Sequence, residues 1–307
     1  MLYDDEDVKA FIEEVEEENE RPTHEPIFVP LFNHKDAITP VRWIIRDYLE
    51  RSSVGCLYGP SGSLKSFIAL EMAICVASGR LWRGKSVKLG SVVYLAAEGQ
   101  RGLSRRILAW EKRHGALTRG VHSRLLRLNV RPGDERADLF GTFVPDLKEA
   151  IEEYNGSGAE PIRLVIIDTL AKALGGKEET NEAYSQAISN LETNLCRPLG
   201  VAILLVHHNG KDPTRGMRGG SAIGGAVDFS FETVGVRANG YEHKPNDGIV
   251  DLDYKTDTIK LRCRKQKDDE KAPDIWFKAE RMVLAPDYDE DGAVIGEITS
   301  LALVETD

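Results

Sequence analysis

The stretch 59-GPSGSLKS-66 decides how the rest of the chain is read. Gly59, Lys65 and Ser66 fit the phosphate-binding pattern G-x-x-x-x-G-K-[ST], whereas Leu64 stands where the pattern has its second glycine. The segment is either a loop that holds a nucleotide despite the leucine or a generic glycine-rich turn, and its flanks choose between them. "VGCLY" before it reads as a buried strand, and "SFIALEMAICVA" after it reads as a helix ending at Gly79. In that setting the loop N–H groups and the positive end of the helix would cradle phosphates. Lys65 would reach the β- and γ-phosphates of ATP, and the Ser66 hydroxyl would bind Mg2+. The expected nucleotide loop is therefore Gly59, Pro60, Ser61, Gly62, Ser63, Leu64, Lys65 and Ser66. Backbone groups do most of this work. Leu64 is expected to be tolerated with φ negative and its side chain turned away from the nucleotide.

Working outward, strand and helix signals alternate. "SVVYLAA", "RLLRL", "IRLVIIDT" and "VAILLVHH" read as strands. "RGLSRRILAWEKRHG", "TFVPDLKEAIEEY" and "NEAYSQAISNLETNL" read as the helices between them. Continuous β-branched runs alternating with helices predict an α/β fold with a mostly parallel sheet covered by helices on both faces. After Asp228 the runs "FSFETVGV", "TIKLRCRKQ", "IWFKAERMVL" and "EITSLALVE" predict short antiparallel strands added to one edge.

Ligands of parallel sheets bind beyond the carboxyl ends of the strands, so the residues at those ends are the next candidates. Asp168 closes "LVIIDT"; a carboxylate ending an apolar strand needs a partner, and hydrated Mg2+ is one, a helix cap another. Glu98 follows "VVYLAA" and is placed to orient and deprotonate an attacking water; otherwise it is a solvated loop residue. His207 and His208 end "LLVHH", and because successive strand residues face opposite ways only one of them can sit by the γ-phosphate. The next segment, "NGKDPTRGMRGGSAIGGA", carries Lys211, Arg215 and Arg218 among glycines. It suits a nucleic-acid backbone and has no aromatic to stack a base, so contact there would be largely independent of sequence. A mobile solvated loop has the same composition.

The net charge of -10 over 307 residues is concentrated at one end. Residues 1–20 hold ten acids and one base, and the other 287 residues hold 39 bases and 40 acids. The acidic average therefore leaves room for a basic groove on the body. Val8, Phe11, Ile12 and Val15 make one apolar stripe on a short acidic helix, and Pro22, Pro26, Pro30 and Pro40 mark a linker. The expected division is residues 1–40 as helix and linker, and 41–307 as one ATPase domain. Four scattered cysteines, Cys56, Cys75, Cys196 and Cys263, form no C-x-x-C pair and fit a reducing compartment. No apolar run is long enough for a membrane, and the acidic N-terminus is unlike a signal peptide, so a cytoplasmic protein is expected.

Taken together, the strand order, Glu98, "LVIIDT", the "HH" strand end and "RGGSAIGGAVD" resemble the RecA-like ATPase core. Within it they are most similar to the RepA-type and DnaB-like hexameric replicative helicases of plasmids and phages, over roughly residues 43–281. The resemblance implies a homo-oligomeric ring, expected to be a hexamer, that hydrolyses MgATP while moving on single-stranded DNA. A replication initiator or primase is implied as a further partner. It also implies that Glu98 is the catalytic base, Asp168 supports Mg2+, His208 lies near the γ-phosphate, and the loop with Lys211, Arg215 and Arg218 lines the channel. "KQKDDE" is similar to the family's K-Q-R-N segment, which would make Lys267, with Lys265, the cations that reach a neighbour's ATP. Three residues depart from the family pattern: Leu64, Lys267 in place of an arginine finger, and Asp228 where RepA-type proteins carry their own finger arginine. Lysine lacks the bidentate fork of arginine, so these departures bear on hydrolysis more than on binding. A RecA-like ATPase that is no helicase (a recombination or annealing mediator, or a KaiC-like switch) shares most of these features, as does a nucleic-acid-binding scaffold with an idle ATP site.

Overall fold

A chain that alternates buried strands with amphipathic helices has to stack those helices on the two faces of a sheet. The computed structural model, which describes residues 40–97, 100–128, 143–174, 180–209, 220–243, 251–267 and 269–306, has that architecture. Val41–Asp307 pack together as one unit. The acidic helix and proline-rich linker expected in residues 1–40 lie, up to residue 39, outside the described residues.

Among the described residues, β1 (Trp43–Ile45) and β2 (Leu49–Glu50) form a small antiparallel pair ahead of the main sheet. The main sheet contains β3 (Val54–Gly59), β4 (Ser91–Ala96), β5 (Leu125–Arg127), β6 (Ile162–Asp168), β7 (Ala202–His208), β8 (Phe229–Val236), β9 (Thr258–Gln266), β10 (Ile275–Tyr288) and β11 (Val294–Glu305). Their spatial order is β11-β10-β9-β8-β3-β7-β6-β4-β5. The strands from β8 to β5 run parallel, and β9, β10 and β11 continue antiparallel.

The expectation for the C-terminal part needs two corrections. "FSFETVGV" is β8, and it pairs parallel to β3 from Gly55–Phe229 to Tyr58–Glu232, so the parallel sheet extends one strand further than the sequence suggested. The chain leaves β7 at the carboxyl edge and enters β8 at the amino edge, where Asp228 N–H donates to Val54 O at 2.7 Å. A crossover of that kind makes the two strands parallel. The last two strands are also long, 14 and 12 residues, because they pair with each other well past the end of β9.

Alternation along the strands feeds two cores. Leu57, Tyr94, Ile166, Leu204 and Phe231 face one side, with Ile68, Met72 and Leu103. Cys56, Val93, Val165, Ile203 and Leu205 face the other, with Leu147, Tyr184 and Ile188. The first side is covered by α1 (Lys65–Ser78), α2 (Gln100–His114) and α3 (Arg119–Arg124). The second is covered by α4 (Phe143–Gly156), α5 (Asn181–Leu191) and α7 (Gly220–Ala226), with the short α6 (Arg197–Leu199) after a π-turn at Glu192–Cys196. The single helix expected over "NEAYSQAISNLETNL" is thus interrupted before its end. α1 is buried over most of its circumference, as an apolar-all-round helix must be, and Gly79 ends it in the left-handed conformation at φ 69°. All four cysteines are free and buried. No described helix is long and apolar enough to cross a membrane.

Candidate functional site

The loop 59–66 joins β3 to α1, with the geometry that its flanks predict. Ser61 and Gly62 form its exposed crest, while Ser63, Leu64 and Lys65 are buried. Gly59 is required by close approach: a Cβ there would lie 2.0 Å from Thr233 Oγ1. Gly62 takes φ 83°, a left-handed value suited to glycine.

Leu64 is the main correction within the loop. Its backbone lies at φ 58°, ψ 20°, in the left-handed region that glycine prefers, and not at the negative φ expected. Its side chain does turn inward, 7% exposed, into the core that holds Ile68. Left-handed backbone costs a branched residue about 1–2 kcal/mol. Burying a leucine contributes about 1.5–3 kcal/mol, which offsets that strain. The loop therefore keeps the backbone shape of the glycine pattern, and packing holds the leucine in it. The first helical bonds run from Phe67 and Ile68 N–H to Leu64 O at 3.0 Å, so the loop leads directly into the N-terminal end of α1.

Lys65 is buried, and its Nζ donates to Gly59 O at 3.0 Å and Pro60 O at 2.6 Å. Pro60 O also accepts Ser63 Oγ at 2.8 Å. The ammonium is thus folded into its own loop at the start of a helix, where a bound phosphate would offer it anionic oxygens instead. Ser66, the next residue, is part-buried.

The sheet brings the other candidates to the same edge. His208 pairs with Gly59 across β7 and β3, and Asn209 N–H donates to Gly59 O at 3.2 Å. Alternation separates the two histidines. His207 is fully buried edge-on to Tyr184, 5.1 Å between ring centres, whereas His208 is part-buried and falls on the α1 side with Leu204 and Val206. Asp168 lies two strands from β3, about 10 Å at the usual strand spacing. It is buried, and the Tyr94 hydroxyl donates to its Oδ2 at 2.7 Å. Burial, and then the Asp168 carboxylate, push the Tyr94 phenol well above its ordinary value, so it stays a donor and holds one carboxylate oxygen. Ala96 pairs with Asp168, and Ala97 N–H donates to Asp168 O at 2.6 Å, so β4 ends beside it. Glu98 follows Ala97 and lies outside the described residues, as do Lys211, Arg215 and Arg218.

Lys265 and Lys267 lie elsewhere. β9 runs antiparallel to β8, so its end faces the amino edge of the sheet, with Lys265 opposite Ser230. Asp228 is five residues before Thr233, about 16 Å from the loop edge at the usual rise along a strand. Lys267 Nζ pairs with Asp228 Oδ1 at 3.2 Å and its side chain is 53% exposed. The second oxygen of Asp228 accepts Val54 N–H at 3.0 Å. Lys265 Nζ donates to Gly224 O at 3.0 Å and to Val227 O at 2.5 Å, closing the carboxyl end of α7. Both lysines are thus held at the edge opposite their own nucleotide loop.

Two participants escaped the sequence. Tyr94 sits two positions before the end of β4 and reaches Asp168, a pattern that alternation allows one to find. Thr233 meets the loop from 170 residues away and leaves no local signal.

Comparison with known proteins agrees with this frame. A family model described as AAA domain matches residues 19–214, well over half of the chain. The crystal structure of the RadB recombinase superposes with a TM-score of 0.50, over 75% of this chain and 88% of that one. The two share 13% sequence identity, so this is a likeness of fold. With its nucleotide-type loop between β3 and α1 and that sheet order, the chain belongs to the AAA domain family and has a RecA-like P-loop fold.

Proposed function

We propose that this chain is an ATP-driven motor on single-stranded DNA, working as a homo-oligomeric ring of the replicative-helicase kind, with six subunits. The observation that carries it is the division of labour between the sheet edges. The loop, His208 and Asp168 share the carboxyl edge, and Lys267 stands exposed at the amino edge. Copies stacked head to tail, as in a closed ring, set one subunit's amino edge against the next subunit's loop.

In this reading the residues of one subunit bind and orient MgATP. Loop N–H groups and Lys65 hold the phosphates, giving up the Lys65 bonds to Gly59 and Pro60. The Ser66 hydroxyl and Asp168 would hold hydrated Mg2+, with Tyr94 fixing one Asp168 oxygen. Bound Mg2+ supplies charge neutralisation on the phosphates. Glu98 accepts the proton of the attacking water, and His208 reads whether the γ-phosphate is present. Lys267 of a neighbour leaves Asp228, which keeps its bond from Val54 N–H, and stabilises charge on the transferred group. Lys265, held by α7, keeps the strand end in place. Lys211, Arg215 and Arg218 contact the DNA backbone, residues 1–40 serve assembly, and residues 41–307 form the ATPase domain. A replication initiator or primase would be the natural partner of such a ring.

A second reading, an ATPase of recombination type that binds DNA without unwinding it, has two supports: the fold likeness to a recombinase and lysine in the finger position. One experiment separates them. ATPase rate is measured with and without single-stranded DNA, alongside strand displacement on a forked duplex. DNA-stimulated hydrolysis with displacement is expected; stimulation without displacement favours the second reading. No hydrolysis under either condition overturns both.

A further inference from the structure

Thr233 has no role in the reaction described so far, yet it is fully buried against the loop. Its Oγ1 lies 2.6 Å from Ser63 Oγ and 3.2 Å from Tyr58 O, and Ser63 Oγ lies 2.8 Å from Pro60 O. Each hydroxyl has one proton, so the chain runs in one of two directions. Thr233 donates to Ser63 and Ser63 to Pro60, or Ser63 donates to Thr233 and Thr233 to Tyr58. In both, two buried hydroxyls are closed on a carbonyl at the junction of β3 and the loop. Gly59 leaves the space that lets Thr233 come this close.

We infer that Thr233 is a positioning residue for the nucleotide loop, holding it open through Ser63 when phosphate draws Lys65 away. This rests on the assignment of residues 59–66 to nucleotide. The loop's internal bonds include a first set from Lys65 to Gly59 and Pro60 and a second from the Ser63–Thr233 pair. Binding exchanges the first set for phosphate oxygens. The Ser63–Thr233 pair then carries more of the loop shape, beside Ser63 N–H to Pro60 O at 3.4 Å and Asn209 N–H to Gly59 O at 3.2 Å, so its contribution falls on the bound state. Thr233 is on β8, the strand that starts just after Asp228, so the amino-edge acid and the loop anchor lie along one continuous run of chain.

The test is the dissociation constant of a slowly hydrolysed Mg-ATP analogue, measured by calorimetry on full-length wild type, Thr233→Val, Thr233→Ser, Ser63→Ala and the Thr233→Val/Ser63→Ala double variant. Thr233→Val is expected to weaken binding about three- to tenfold, the scale of one or two net hydrogen bonds. Thr233→Ser should stay within about twofold, and the double variant should be no weaker than the weaker single one, since both remove one linkage. Wild-type affinity in Thr233→Val, equal losses in Thr233→Ser and Thr233→Val, or additive effects in the double variant would each overturn the inference. If Thr233→Val does not fold, Ser63→Ala breaks the linkage from the loop side, and wild-type affinity there overturns it equally. A folded wild type that binds no nucleotide overturns the loop assignment itself, which keeps the two failures apart.

Discussion

Lys65 and Lys265 are both lysines whose ammonium groups are held by backbone carbonyls, at opposite edges of one sheet. Lys65 takes the carbonyls of Gly59 and Pro60 at the start of α1; Lys265 takes those of Gly224 and Val227 at the end of α7. The chemistry of the two cages is nearly the same, and the helix ends beside them are opposite. At a helix start, N–H groups without acceptors favour an anion, so a phosphate can replace the carbonyls around Lys65. At a helix end only carbonyls are on offer, and a cation there completes the structure. Burial of a lysine among carbonyls therefore says little about function until the polarity of the neighbouring helix is known.

The comparison breaks most visibly if each lysine is removed in turn. Lys65→Ala should lower the ATPase rate about 10²–10³-fold, the loss typical of a deleted charge-stabilising donor. An unchanged turnover number would place the phosphates elsewhere. Lys265→Ala should leave the intrinsic affinity of a subunit for MgATP as it is. It should destabilise the fold by about 1–2 kcal/mol, the worth of charged hydrogen bonds at a helix end. In a thermal melt that is a fall of about 2–4 °C for a domain of this size. A Lys265→Ala chain with the wild-type midpoint would mean that the α7 cage is incidental. The smallest effect is expected at Leu64→Gly. Relief of left-handed strain and loss of a buried side chain nearly oppose each other, so stability should fall by about 1 kcal/mol or less. MgATP affinity should remain within about twofold, because the backbone shape is the same for both residues. A large loss of affinity would show that the leucine side chain itself shapes the nucleotide site.

Much of this arrangement can be read from local pattern, and the failures share a cause. The β3–loop–α1 unit, Asp168 and the distinction between His207 and His208 follow from period, strand ends and alternation, all of which are local. Other features depend on which strands become neighbours. The parallel pairing of β8 with β3 brings Thr233 to Gly59, and the pairing of β9 with β8 brings Lys267 to Asp228. No short window of sequence contains both partners. Leu64 is a different case: a single residue type disfavours the left-handed backbone, and the tertiary burial that overrides this preference is invisible at its position.

The four buried cysteines have a practical consequence for following this chain in solution. Burial pushes the thiols of Cys75 and Cys196 up to about 12, so near neutral pH almost none of either is the reactive thiolate. A maleimide dye would thus find little native background competing with a cysteine introduced on the surface. One such cysteine at the exposed amino edge and a labelled nucleotide at the loop would make a fluorescence ruler for the proposed ring, without first stripping the native thiols from the core.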